Sequence, residues 1–392
     1  MTMPRGVLKL GFACVAACVE ACASPDAVPS ATVRDSTGIT IVTSTATDRP
    51  LSWTVRPLFG LGGKDHEPEA FYQVSRELVT VDGADNMTVA DPMAARIHQF
   101  APDGAHRWSG GSRGSGPGEF EYPSGIAAAP DGRLAVFDPR RRAVVLLDAE
   151  GAVIGEHRAF PFADRVLLTR SAELIEHWRY GDDGRVATIT VATDTDTLTL
   201  VRAAPVRTST ARLAACGPGP TRTGPVMLAS QPAWDVGDTL VAVATGADYR
   251  IEILSADGHL LRSVRRALPA RGATVVDAER WAEANPIRFT QAGGAECRIP
   301  VAEMVEKIGY ADSLPAIGLV VLAPDGALWV RRWSVSGHDG PIDVFDPTGA
   351  YLGTLPSTFP FPLHVRTDGR LLYAEKDSLD IERLAIGEVV RD

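Results

Sequence analysis

The sequence predicts an all-β fold, a β-propeller of six blades. Turn chemistry, spacing and strand alternation carry that expectation. Eight Asp-Gly pairs punctuate the 392 residues, with their glycines at Gly83, Gly104, Gly132, Gly184, Gly258, Gly326, Gly340 and Gly369. Asp-Gly between apolar runs marks a hairpin, because both residues tolerate positive φ. The spacing is regular: 49 residues from Gly83 to Gly132, 47 from Gly104 to Gly151 and 43 from Gly326 to Gly369. The flanks alternate as half-buried strands do, in Arg133–Phe137, Ala327–Val330 and Arg370–Tyr373. A period of 40 to 50 residues with four short strands per unit is the signature of propeller blades.

The units fall in order along the chain. Blades are expected over about 74–110, 122–158, 165–207, 224–266 and 314–355. The sixth joins 360–388 to an N-terminal strand from 37–60, with Ile39–Val42 and Trp53–Val55 as the closing strands. Joining both chain ends in one blade leaves no free edge. Seven blades follow instead if 37–73 holds a complete unit. One segment, about 269–312, breaks the pattern. Val275–Ala284 reads as a helix, and Pro300 suits the start of another, where its missing N–H costs nothing. Val301, Met304, Val305 and Ile308 then share one face. Such an excursion either covers one mouth of the propeller channel or decorates blade surface.

Composition excludes several classes. Hydrophobic residues make up 45% and charged residues 22%, values of a packed globular chain rather than a disordered one. The 37 glycines and 28 prolines call for many turns. With 39 basic against 49 acidic residues, the chain lacks the positive footprint of a nucleic-acid binder or of a protein held on an anionic membrane face. Arg140–Arg142 reads as a solvated turn.

The first residues are an address. Arg5 and Lys9 precede the apolar run Leu10–Ala17. Val15-Ala16-Ala17-Cys18 resembles the lipobox of bacterial lipoprotein signal peptides, which implies cleavage before Cys18 and lipidation of that thiol. Cys22 is the alternative, with Glu20 then inside the motif; an ordinary secretory cleavage is the other. The resulting division is a signal peptide over 1–17, a flexible tether over 18–36 and one propeller domain over 37–392. The expected location is periplasmic or outer-membrane-associated, held by lipid and not by a spanning helix. Cys216 and Cys297 are the cysteines of the body. In an oxidising compartment they either pair or remain buried thiols. No Cys/His zinc spacing is present.

A finer pattern runs through the first two units: Val89-Ala90-Asp91, Arg96-Ile97, Phe100, Gly104, Gly114-Ser115-Gly116-Pro117-Gly118-Glu119-Phe120 and Pro123–Ile126. It looks like an NHL repeat, and the chain is similar to bacterial six-bladed β-propeller lipoproteins. The likeness covers about 74–160 well and 236–262 and 314–386 more weakly, and it is lost at 161–215. It implies structural roles for Asp91, Arg96, Gly116, Gly118, Phe120 and Asp138. Asp91 and Arg96 would bridge a turn, and Phe120 would wedge between neighbouring blades. In the second unit Ala143 stands where the arginine five residues after Asp138 belongs, with Arg142 as its substitute.

Linear catalytic motifs are missing. Gly110-Gly111-Ser112-Arg113-Gly114 matches a hydrolase string but sits in a glycine-rich crossover rather than a strand–turn–helix. Asp194-Thr195-Asp196 lacks the glycine and final Glu of a calcium loop. The eight histidines are scattered. Two functions follow. The first is a binding or scaffold module for a cell-envelope protein, peptide or glycan, monomeric and without a cofactor. The second is a metal-dependent hydrolase or lyase, lactonase-like, with Ca2+ in the channel. Gluconolactonase relatives place Glu, Asn and Asp at such a site, and the asparagines here are Asn86 and Asn285.

Overall fold

The structure, a computed structural model, describes residues 31–62, 71, 73–159, 163–181, 184–192, 197–216, 221–290, 294–337, 339–376 and 381–391. The export segment with Cys18 and Cys22, and the turn at Asp194–Asp196, lie outside them.

The chain is mostly β and forms a six-bladed propeller. The first five blades are four-strand antiparallel meanders. Blade 1 is Val79–Val81, Met87–Asp91, Arg96–Phe100 and His106–Gly110. Blade 2 is Gly125–Ala128, Leu134–Asp138, Ala143–Leu147 and Val153–Arg158. Blade 3 is Ala163–Leu168, Glu173–Gly181, Gly184–Ala192 and Thr197–Arg202. Blade 4 holds Ala233–Val236, Leu240–Ala244, Arg250–Ser255 and Leu260–Arg266. Blade 5 holds Ile317–Leu322, Leu328–Arg332, Ile342–Phe345 and Tyr351–Leu355. Blade 6 is composite: His364–Val365, Leu371–Lys376 and Glu382–Val390, with Thr54–Leu61 antiparallel on the outside.

The first strand of each blade lines the axis, where neighbouring first strands touch. The core lies between blades. Phe120, 1% exposed, packs with Ala90 and Ile97 of blade 1 and with Ile126, Val136 and Val145 of blade 2. Val264 and Tyr249 of blade 4 pack with Val330, Phe345 and Tyr351 of blade 5. Each fully buried large side chain contributes about 1.5–3 kcal/mol, so the interfaces carry much of the stability.

The N-terminal segment differs from expectation. Ile39–Ser44 does not close the ring. It lies parallel to Leu260–Arg266 on the outer edge of blade 4. Thr32–Ser36, expected in the tether, is a strand in a hairpin with it. Thr37 and Gly38, both at positive φ, make that turn. Trp53 precedes the closing strand and packs in the apolar cluster of blades 5 and 6. Residues 39–61 therefore run as a strap across blades 4, 5 and 6. A buried cluster fixes its middle. Arg266, with a fully buried side chain, donates to the carbonyls of Thr45, Ala46 and Thr47 and to Asp48 and Asp343. Arg332 bridges the same two carboxylates. Gly353 lets the strap approach, because a Cβ there would meet Leu51 at 2.6 Å and the Arg49 carbonyl at 2.7 Å.

The segment at 269–312 carries two helices, α1 (Val275–Ala284) and α2 (Val301–Ile308), separated by the hairpin Arg288–Thr290/Glu296–Arg298. Thr274 and Asp277 form a capping box on α1. Ala278, Ala282, Met304 and Ile308 pack on Ala211, Leu213, Met227 and Leu228, so a second small core sits beside the ring. Cys216 and Cys297 are joined by a disulfide with Cα atoms 5.8 Å apart, tying that small domain together. Among the described residues no helix is long and apolar enough to cross a membrane.

Candidate functional site: the axial channel

The repeat residues serve the scaffold. Asp91 accepts the amides of Met93 at 2.8 Å and Ala94 at 2.9 Å, and does not pair with Arg96. The nearer amides satisfy the carboxylate locally, which leaves Arg96 at the surface. Asp138, fully buried, accepts four amides: Arg140 and Arg141 on one oxygen, Glu121 and Tyr122 on the other. Gly116 donates to Glu119 at 2.8 Å, and Gly118 holds φ at +74° in the same crossover. Arg141 reaches that crossover, donating to the Glu119 and Ser115 carbonyls and pairing with Glu156 at 2.8 Å. Arg142, expected in that role, instead occupies the turn's left-handed position at φ +54°. Ser112 lies in the crossover, with its carbonyl held by the Phe120 amide.

The chemistry-bearing residues meet on the axis. The six first strands run the same way along the channel, giving a mouth at their N-terminal ends and one at their C-terminal ends. Between the mouths an ion pair spans the axis. Arg76 precedes the first strand of blade 1, and Asp235 stands on the first strand of blade 4, diametrically opposite. Their side chains, 7% and 6% exposed, meet at 2.7 Å. Arg76 also donates to the Val320 carbonyl of blade 5, and the Leu322 amide donates to Asp235 at 2.8 Å. Arg165 of blade 3 stands 3.9 Å from the same carboxylate and donates to the Trp234 carbonyl at 2.7 Å. Its guanidinium lies over the Trp234 ring at 5.2 Å. Trp234 in turn donates to Glu176.

The C-end mouth opens into a cavity of about 320 Å³. Its walls include Ala127, Ala128, Leu167, Leu168, Val236 and Leu322, with Asp82, Asp85, Arg170, Asp238, His364 and Thr367 among them. These polar groups are already committed to one another. Arg170 grips Asp238 with two bonds of 2.9 and 2.7 Å. Thr367 gives its amide and hydroxyl to Asp85, and Asp82 holds Asn86. The pairs Arg170–Asp238 and Thr367–Asp85 each link one blade's turn to the next, so this rim is rigid. His364 donates Nε2–H to the Val79 carbonyl at 2.7 Å. Burial pushes its pKa down to about 4, with Arg76 and Arg165 adding to the shift and Asp235 opposing it. The ring is therefore neutral at physiological pH.

The N-end mouth opens into a second cavity of about 280 Å³, lined by Arg76, Glu77, Asp164, Arg165, Glu176 and Trp234 among others. Burial lowers the Arg165 pKa to about 10, helped by the like charge of Arg76. Burial raises the Glu176 carboxyl against the hydrogen bond from Trp234. At Glu77 burial pushes upward, but Arg165 and a backbone amide outweigh it and hold the carboxyl low. No residue of α1 or α2 lines either mouth. Among the described residues no group of three or more His, Cys, Asp or Glu side chains is placed to hold a metal ion. Of the channel carboxylates, Asp235 and Asp238 face arginines, whereas Asp82 and Asp85 are held by Asn86 and Thr367.

No protein-family model matches the chain, and no curated protein matches it. Solved structures do. A "putative exported protein" from Bacteroides fragilis superposes with a TM-score of 0.54 at 13% identity, over 90% of this chain and 100% of that one. A member of the DUF4221 family from Bacteroides vulgatus gives 0.52 at 9% identity, over 88% and 98%. At these identities the likeness establishes the fold alone.

Proposed function

We propose that the chain is an exported, lipid-anchored binding propeller whose C-end mouth takes an uncharged segment of a glycan or peptide. The observation that carries this reading is the cavity of about 320 Å³, apolar-walled, with its polar groups held in fixed pairs. That is the build of a preformed ligand pocket: mostly apolar, with a few oriented polar groups. The ligand is uncharged because the charged groups on the rim are already engaged, Arg170 with Asp238, Asp85 with Thr367 and Asp82 with Asn86 and its own turn, and breaking such a pairing would leave a desolvated charge. Export is supported by the Arg5–Cys18 signal and by the Cys216–Cys297 disulfide.

Gly237 offers the test. It lines the cavity, and a Cβ there meets only Leu322, at 3.4 Å, so the backbone tolerates a side chain. Gly237→Trp fills the mouth. Soluble protein from residue 31 onward is screened against glycan and peptide arrays. The expected result is a hit that Gly237→Trp weakens at least tenfold with Tm unchanged. A hit that Gly237→Trp leaves intact would place recognition elsewhere and overturn the assignment.

A further inference from the structure

The net charge of -10 is not spread evenly over the ring. In each blade the first and third strands run toward the C-end face, so the turns from strand one to two and from three to four lie there. Six of the eight Asp-Gly pairs close such turns, at Gly83, Gly104, Gly132, Gly258, Gly326 and Gly369. The C-end face is therefore ringed with carboxylates, and its arginines Arg133, Arg170 and Arg370 are each paired with one. The turns from strand two to three, and the ends of the outer strands, lie at the opposite face. On the N-end rim of blades 1 to 3 stand Arg96, Arg140, Arg142, Arg158, Arg179 and Arg202. All six are exposed, and none has a carboxylate within ion-pair distance among the described residues. The carboxylates nearby are engaged elsewhere. Asp91 and Asp138 are buried under backbone amides, Glu119 holds the Gly116 amide and Glu156 pairs with Arg141. Glu77 and Asp164 line the channel mouth, and Glu121 is half-buried. The chain also enters at this face. Thr32 pairs with Thr43, and Ser44 with Arg266 at the end of the outer strand of blade 4.

We infer that the N-end rim of blades 1 to 3 docks on the anionic phospholipid surface of the membrane that holds the N-terminus. The choice of surface rests on the lipid anchor proposed above, whereas the charge of the rim does not. Thirteen residues separate Cys18 from Ala31, a reach of at most about 45 Å, so the anchored lipid keeps the rim beside its membrane. A guanidinium takes phosphate oxygens through two parallel bonds. Each basic residue close to an anionic leaflet adds about fivefold to partitioning. The carboxylates of the C-end turns do not oppose this. A five-residue strand spans about 17 Å, whereas charges are screened over about 10 Å at 0.1 M salt. Seated in this way, the propeller turns its C-end mouth away from the membrane, where a ligand can reach it.

Soluble protein from residue 31 onward, which contains every described strand and helix, is sedimented with vesicles. These are phosphatidylcholine alone, or phosphatidylcholine and phosphatidylglycerol at about 7 to 3, which supplies the negative surface. Binding to the mixed vesicles is expected at about 50 mM salt, with at least a tenfold loss at about 500 mM, where screening is stronger. Pure phosphatidylcholine should not bind. Arg96→Glu/Arg158→Glu/Arg202→Glu should weaken binding at least tenfold with Tm unchanged. The triple variant with Gln at the same positions asks less of the fold and should weaken it to a smaller, still measurable extent. Arg107→Glu/Arg133→Glu/Arg370→Glu makes the same change in net charge on the C-end side, at exposed positions, and should bind within twofold of the parent. Mass spectrometry of the full chain recovered from membranes reads lipidation at Cys18 separately. A chain without the lipid would remove the anchor and leave the rim's docking to stand or fall by the vesicles. Docking is overturned if the mixed vesicles do not bind, if pure phosphatidylcholine binds equally, or if the two triple Glu variants lose binding alike. Capture by soluble poly-glutamate but not by vesicles would assign the rim to an acidic protein and overturn it as well.

Discussion

Asp138 shows how much one side chain organises. Its two oxygens receive four backbone amides, two from its own turn and two from the crossover that enters blade 2. Asp138→Ala should cost about 3 kcal/mol or more, because buried amides lose their acceptor. Asp138→Asn keeps one acceptor oxygen and should cost less than half of that. Urea midpoints of both variants check the order. His364 gives a pH prediction. Its native pKa is depressed below the unfolded value of about 6.5, so the unfolded state binds the proton first as pH falls. Its contribution to stability is complete above about pH 6.5 and fades as pH drops toward about 4, by something on the order of 2 kcal/mol. The charged groups that act on the ring are Asp235, Arg76 and Arg165. In His364→Gln, which keeps a donor for the Val79 carbonyl, unfolding midpoints should fall less between pH 6.5 and 4 than in the parent. At this scale the sequence was partly legible. The repeat pattern singled out Asp138 and Phe120, whose partners lie within one or two blades. It misplaced the arginine, because only the turn's backbone geometry decides that Arg142 is bent away and Arg141 reaches the crossover. Arg76, Arg165 and Asp235 carry no local signature at all; what brings them together is closure of the ring.

At the scale of elements, Asp-Gly turns and alternation located most blades to within about five residues, since hairpin register is a local property, but blade 4, expected from 224, starts at Ala233, because Thr221–Pro225 pairs with Thr208–Arg212 outside the ring. The strap was not legible. Ile39–Ser44 alternates as a closing strand would, but its parallel partner on blade 4 is announced by no turn, and Arg266 and Asp48 that hold it are remote in sequence. The helical insertion was legible as an element and not in its placement. Its apolar faces cover the small second core, and its helices stay off both channel mouths. The disulfide closes a separation of 81 residues around blade 4 and the insertion. Chain-entropy arithmetic for a loop of that length gives up to about 4.5 kcal/mol. The double variant Cys216→Ser/Cys297→Ser should therefore lose on the order of 2–4 kcal/mol, first as local opening of the small domain. Limited proteolysis reads this directly: new cleavage within 269–312 should precede loss of the propeller. A variant cleaved no faster than the parent would mean that the apolar contacts of Met304 and Ile308 suffice.

The whole molecule is a ring held in two ways, around its circumference and across its diameter. Around the circumference, Thr54–Leu61 supplies the outer strand of blade 6, and the strap fastens that strand back to blades 4 and 5. Across the diameter, Arg76 and Asp235 tie blade 1 to blade 4. The second tie is the more consequential for function, because it divides the channel into two cavities of different chemistry. A buried pair of this kind adds little net stability relative to apolar groups, but losing one partner strands the other. Asp235→Leu should thus cost about 3–5 kcal/mol, since it strands Arg76 and deprives Arg165 of its nearer counter-charge. Arg76→Met should cost less, because Arg165 and the Leu322 amide still face Asp235. The double variant Arg76→Met/Asp235→Leu should be more stable than Asp235→Leu alone, giving a coupling of 1 kcal/mol or more in a double-mutant cycle of urea unfolding. Its cavities should also merge. Coupling near zero would show that the ring partitions its channel by backbone packing alone, and that the trans-axial pair is a passenger.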